Sequence, residues 1–174
     1  MTKRVVMFDL DGTLTDPGPG ITRSIRFALE QLSRPCPSED ELASFIGPPL
    51  RGTFASLLET SDRERIEEAM RLYRQRFTDV GLYENEVYEG VPEMLKSMEQ
   101  EMGKLFVVTS KPAIYAEIVV KHFKLDCHFR GIYGAELDGT FENKAELMAH
   151  LLMKENIPNS TGIMIGDREV AAQL

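Results

Sequence analysis

The apolar positions of this chain change their period twice. Val5, Val6, Met7 and Phe8 are consecutive, and with the two residues before them they read as a buried strand over 3–8. A breaker cluster, Pro17-Gly18-Pro19-Gly20, comes next, after which Ile21, Ile25, Ala28, Leu29 and Leu32 recur at helical spacing. Ser38 with Glu41 and Ser61 with Glu64 both fit the capping-box pattern, which predicts two more helix starts. The second of these carries Ile66, Met70, Tyr73 and Phe77 on one stripe and ends near Gly81. From about Glu84 strand and helix alternate. Pro92 suits the first residue of a helix reaching Glu101, 105–109 reads as a strand, and Pro112 opens a helix to about His122. A short strand at 131–134, a helix over 143–155 and a strand at 162–165 complete the series. This rhythm predicts an α/β fold: a Rossmann-like parallel sheet with helices on both faces, formed by 1–16 and 84–174, and an inserted helical segment over 17–83.

Composition narrows the classes without altering that layout. The chain has 174 residues, 43% hydrophobic and 28% charged, enough for one domain with a modest insertion. With 28 acidic against 20 basic residues the net charge is -8, which argues against a sequence-independent grip on nucleic acid or on an anionic membrane. The apolar run Val5 to Phe8 is too short for an export signal and no stretch approaches a membrane span, so the expected location is the cytoplasm. Cys36 and Cys127 lack metal-ligand spacing and read as reduced thiols; Cys127-His128 with His122 lacks a fourth ligand. Asn159-Ser160-Thr161 matches a glycosylation acceptor by chance, and no Gly-x4-Gly-Lys-Ser/Thr segment of a P-loop occurs.

Ligands of parallel α/β sheets bind beyond the carboxyl ends of the strands. Those ends carry Asp9 and Asp11, then Thr109 and Ser110, then Gly166 and Asp167, with Lys144 ahead of the last strand. Two acids at i and i+2 on an extended strand end point the same way and can meet one substrate group. A cluster of hard oxygens with a phosphate partner suits Mg²⁺, which takes one or two carboxylates, waters and substrate oxygens. Asp9 is then the candidate nucleophile, forming an aspartyl-phosphate, and Asp11 the candidate general acid and base. Lys144, the Thr109 hydroxyl and backbone amides near Gly12 are candidates for stabilising the transferring group, and Asp167 for completing the metal site.

"DLDGTLTD", "VVTS", Lys144 and "IMIGDRE", in that order, resemble the four motifs of the haloacid dehalogenase superfamily, and most of all its phosphoglycolate phosphatase-like branch. The resemblance implies Asp9 as nucleophile, Asp11 as acid/base and backbone-carbonyl metal ligand, Thr109, Ser110 and Lys144 as phosphate binders and Asp167 as metal ligand. It further implies that the helical segment is a mobile cap. There "FIGPPLRGTF" is similar to the branch's cap stretch and makes Arg51 a candidate substrate contact. The second acid of the first motif is typical of phosphatases, not dehalogenases. The expected function is therefore Mg²⁺-dependent hydrolysis of a small phosphomonoester, phosphoglycolate or a nucleoside monophosphate. Phosphomutase chemistry, or a non-catalytic chain that only binds Mg²⁺ or phosphate, stands as the alternative. The chain departs from the family at Ala171, where relatives carry a second acid that Glu169 replaces only in part. Relatives also continue past the position of Leu174 through a further strand and helix. The expectation is a core lacking its C-terminal part, weakened Mg²⁺ binding, and a monomer or weak homodimer.

Overall fold

A computed structural model describes residues 5–101, 103–158 and 162–167. Asn159 to Thr161, Arg168, Glu169 and Ala171 lie outside the described residues, as do the first two positions of the strand expected over 3–8. The chain divides into two compact units, Met1–Asp16 with Val87–Leu174 and Pro17–Glu86.

The first unit is built on four parallel strands in the order β5-β4-β1-β6: β1 (Val5–Phe8), β4 (Lys104–Pro112), β5 (Gly131–Ala135) and β6 (Gly162–Ile165). Two further strands, β2 (Thr15–Asp16) and β3 (Glu86–Val87), pair separately; both are too short for a sequence pattern to reveal. Because strand side chains alternate, Val5 and Met7 of β1 join Phe106, Val108 and Tyr133 in a core closed by Leu147, Met148, Leu151 and Leu152 of α7 (Lys144–Lys154). Val6, Phe8, Leu105 and Val107 are buried with the opposite parity. α5 (Val91–Glu101) packs on β4, and α6 (Ala113–His122) packs on β4 and β5. Burial on both faces explains why β1 reads as a continuous apolar run rather than an alternation.

The second unit holds α1 (Gly18–Gln31), α2 (Glu39–Ala43), α3 (Leu50–Leu57) and α4 (Arg63–Arg76), followed by a wide helical turn at Phe77–Gly81. Its core sets Phe54 edge-on to Tyr73, with ring centroids 6.1 Å apart, and stacks Tyr73 on Phe77 at 5.1 Å. The capping box at Ser38 and Glu41 forms. The one expected at Ser61 does not: the cap of α4 is Asp62, whose carboxylate accepts from the Glu64 amide at 3.0 Å. An aspartate one residue nearer the helix satisfies the same orphan amides and displaces the serine. The unit also runs to Glu86 rather than stopping at 83. The Glu84 carbonyl accepts from the Gly20 amide at 3.0 Å, and its carboxylate is held by Arg76 and Arg23, each at 2.8 Å. Among the described residues no helix is long and apolar enough to cross a membrane.

Candidate active site

The ladder between β1 and β6 runs one residue beyond Phe8, because the Asp9 amide donates to the Ile165 carbonyl at 2.9 Å. This holds Asp9 at the carboxyl end of the sheet, 7% exposed, with Oδ1 accepting from the Leu10 amide at 2.8 Å. The chain then coils tightly. The Leu10 carbonyl accepts from the amides of Thr13, Leu14 and Thr15, and the Gly12 amide donates to the Thr15 carbonyl at 2.8 Å. The Gly12 amide, expected to face a substrate, is thus committed to closing this loop. Gly12 sits at φ +79°, and a Cβ there would meet Asp167 Oδ2 at 2.7 Å. Only glycine meets both demands. The Asp167 amide donates to Thr13 Oγ1 at 3.1 Å, so the residues after β6 are tied to the loop after β1.

Two ammonium groups enter this edge. Lys144, the first residue of α7, pairs with Asp9 Oδ2, its helix start fixed by Asn143, whose Oδ1 accepts from the Ala145 amide at 2.9 Å. Lys111 pairs with Asp11 Oδ2 at 2.7 Å and its side chain is only 5% exposed. It is brought in by a bulge: Thr109 registers with Gly134 and Pro112 with Ala135, so Ser110 and Lys111 are extra on β4. Within it Thr109 and Lys111 are buried while Ser110 is exposed. Thr109 Oγ1 accepts from the Lys111 amide at 3.2 Å, and Ser110 donates its hydroxyl to the Glu142 carbonyl at 3.3 Å, pinning the strand end to the loop ahead of Lys144.

The structure therefore brings Asp9, Asp11, Gly12, Thr109, Lys144 and Asp167 to one sheet edge. Ser110 reaches it as a tether. Arg51 lies in the other unit, where it pairs with Glu67 on α4. Lys111 escaped the sequence reading; its signal was the same i, i+2 spacing from Thr109 that singled out the two aspartates. Tyr88 is a second addition. Burial pushes its phenol pKa up, and the negative charges of Asp16, Asp167 and Asp11 push it further, which marks this edge as a negative field.

The fit to Mg²⁺ rests on the donors. Three carboxylates, those of Asp9, Asp11 and Asp167, meet two ammonium groups here, and all the donors are hard oxygens. Among the described residues no three acidic, histidine or cysteine side chains converge into a ready-made cage. Mg²⁺ does not require one, since it keeps waters and shares substrate oxygens.

The model of the haloacid dehalogenase-like hydrolase family matches residues 6–173. The chain belongs to this family. Among its relatives, a 5'-nucleotidase of Pseudomonas aeruginosa is 48% identical over 94% of this chain and 73% of that protein. The tyrosine-protein kinase PtkA of Mycobacterium tuberculosis is 34% identical over 95% of this chain, which spans little more than half of it (56%). The crystal structure of a predicted phosphatase from Clostridium acetobutylicum superposes with a TM-score of 0.88 at 36% identity, covering 97% of this chain and 77% of that one. More distant relatives are named phosphoglycolate phosphatase. The haloacid dehalogenase-like hydrolase fold thus accounts for the parallel sheet, and the chain is a hydrolase of the phosphatase type.

Proposed function

We propose that this chain hydrolyses small phosphomonoesters through an aspartyl-phosphate on Asp9, with nucleoside 5'-monophosphates as the first substrate class and phosphoglycolate as the second. The observation that carries the reading is the pair of carboxylates after β1, each matched to its own ammonium, Asp9 to Lys144 and Asp11 to the buried Lys111. The 48% identity to a protein named 5'-nucleotidase favours nucleotides over phosphoglycolate, whose named relatives are 26% identical.

In the first step an oxygen of Asp9 bonds to phosphorus as the bond from phosphorus to the leaving alcohol breaks, and Asp11 gives that alcohol its proton. In the second, water attacks the same phosphorus and passes a proton back to Asp11. The Asp9–phosphorus bond breaks, and inorganic phosphate and the free carboxylate are restored. Lys144 and the Thr109 hydroxyl neutralise charge on the transferring group, in a buried setting where such contacts weigh more than in water. Asp9, Asp167 and the Asp11 carbonyl would hold Mg²⁺, which when bound offsets the phosphate charge. The helical unit would act as the cap and Arg51 as its anion contact. The net charge of -8 supports a small phosphorylated metabolite, rather than nucleic acid or a membrane, as the partner of a cytoplasmic monomer or weak homodimer.

The test is phosphate release over a panel of phosphomonoesters, with Mg²⁺ and with a chelator. Nucleoside 5'-monophosphates should release phosphate fastest, and the chelator should abolish release. No release from any of them, or release that ignores the chelator, refutes the reading, and isomer formation without free phosphate identifies a mutase.

A further inference from the structure

A lysine with a 5% exposed side chain is unusual and needs a reason to be there. The surroundings of Lys111 show that the fold goes out of its way to bury it. Two extra residues are inserted in β4, the Thr109 hydroxyl receives the Lys111 amide, and Gly134 stands opposite, where a Cβ would lie 2.5 Å from the Lys111 carbonyl oxygen. The ammonium that this construction buries pairs with Asp11 Oδ2, at 2.7 Å.

An ammonium has donors and no lone pair, so the oxygen it holds must act as acceptor. The other oxygen, Asp11 Oδ1, is buried and has no hydrogen-bond partner. A carboxylic acid whose Oδ2 is occupied in this way has one place left for its proton. We propose that Lys111 is a positioning residue for acid–base catalysis: by holding Oδ2 it orients the Asp11 carboxyl and confines the transferable proton to Oδ1. In the first step that proton leaves Oδ1 for the departing alcohol oxygen; in the second, Oδ1 recovers one from the attacking water, while Lys111 keeps all three of its own. The assignment rests on the reading of Asp11 as the acid and base, and it distinguishes Lys111 from Lys144, whose partner is the nucleophile.

The discriminating measurement is the first-turnover release of the leaving group by the Mg²⁺-loaded enzyme from two kinds of substrate. A dinitrophenyl phosphate leaves as a stable phenolate and needs no proton, whereas a nucleoside 5'-monophosphate leaves as an alkoxide and does. Lys111→Met should slow the nucleotide by roughly 10²-fold, within the range of acid–base assistance, and the dinitrophenyl ester no more than a few-fold. Equal slowing of both would make Lys111 merely structural and overturn the proposal.

Lys111→Met leaves Asp11 buried without its partner, so the double variant Asp11→Asn/Lys111→Met, which removes both charges together, carries a second test. If Lys111 acts through Asp11, the double variant should match Asp11→Asn alone on both substrates, and a further loss on either one overturns the proposal. Metal-free Lys111→Met should also unfold at a lower temperature than the double variant; the opposite order contradicts the pairing. If Asp11→Asn itself slows both substrates alike, the acid–base reading fails and the role of Lys111 falls with it. If Asp11→Asn discriminates and Lys111→Met does not, only the inference about Lys111 fails.

Discussion

Asp9 and Asp11 are chemically identical and two residues apart, and what separates them is the company each keeps. Asp9 is tied by its own backbone to β6 and by its carboxylate to Lys144 and the Leu10 amide, which holds the proposed nucleophile in place. Asp11 keeps one oxygen without a partner. Asp9→Asn should therefore abolish phosphate release while the unfolding midpoint stays close to that of the parent, since the amide keeps the shape but cannot attack. Asp11→Asn should retain some release, slowed by ~10² to 10⁴, and most for poor leaving groups. Assays of both variants with one alkyl and one aryl phosphate check this, and undiminished release by Asp9→Asn rules out the aspartyl-phosphate. The two acids were legible in the sequence because i, i+2 parity holds on a regular strand end. Lys111 was not, because the bulge decides which of Ser110 and Lys111 is buried, and the bulge depends on Gly134 across the sheet.

Elements read well where one interaction dominates and poorly where neighbours compete. The Ser38 box formed as written, whereas Asp62 took the cap expected of Ser61, and α3 had no cap or clear stripe to announce it. The β4–β5 pair shows how an element carries chemistry. A methyl group at Gly134 would approach the Lys111 carbonyl oxygen to 2.5 Å and the Ala113 amide nitrogen to 2.7 Å, both backbone atoms with little room to yield. Gly134→Ala should destabilise the fold by about 1–3 kcal/mol and slow alkyl-phosphate turnover beyond what the lost stability explains. A denaturation midpoint equal to the parent's would show that the bulge is softer than this geometry implies.

On the same strand, the Tyr133 hydroxyl donates to Glu155 at 2.9 Å, and Arg130 joins the same carboxylate at 3.2 Å. Burial, and then the bond to Glu155, raise the phenol pKa from 10.0 to about 12. The folded state thus prefers the protonated phenol. Its contribution is complete below pH 10 and fades as the pH climbs from 10 towards 12. Tyr133→Phe should be less stable than the parent at pH 8 and lose less stability between pH 10 and 12; melting curves across that range measure it, and parallel losses would exclude Tyr133 as the cause.

Across the whole chain, the division into two units followed from a change of apolar period, but the return crossing did not, because Glu84 carries no pattern of its own. What places it with the helices is tertiary: Arg76 binds its carboxylate through two nitrogens, at 2.8 and 3.0 Å, and Arg23 binds it at 2.8 Å. The hydrogen bond from Arg76 is the largest influence on Glu84 and holds its pKa below the ordinary 4.5, against the opposing effect of partial burial, with Arg23 adding to the lowering. A carboxyl depressed in the folded state contributes fully above its unfolded pKa and loses that contribution as the pH falls through its folded pKa. The helical unit, which Glu84 closes against α1 and α4, should accordingly loosen at acid pH in step with protonation of this one residue. Glu84→Gln keeps the shape but removes the charge, so it should lower stability at pH 7 and flatten the acid limb between pH 5 and the folded pKa. Amide exchange in α1 and α4, followed against β1 and β4 over that range, isolates the effect. An acid limb that is unchanged in the variant would assign the loosening to other carboxylates.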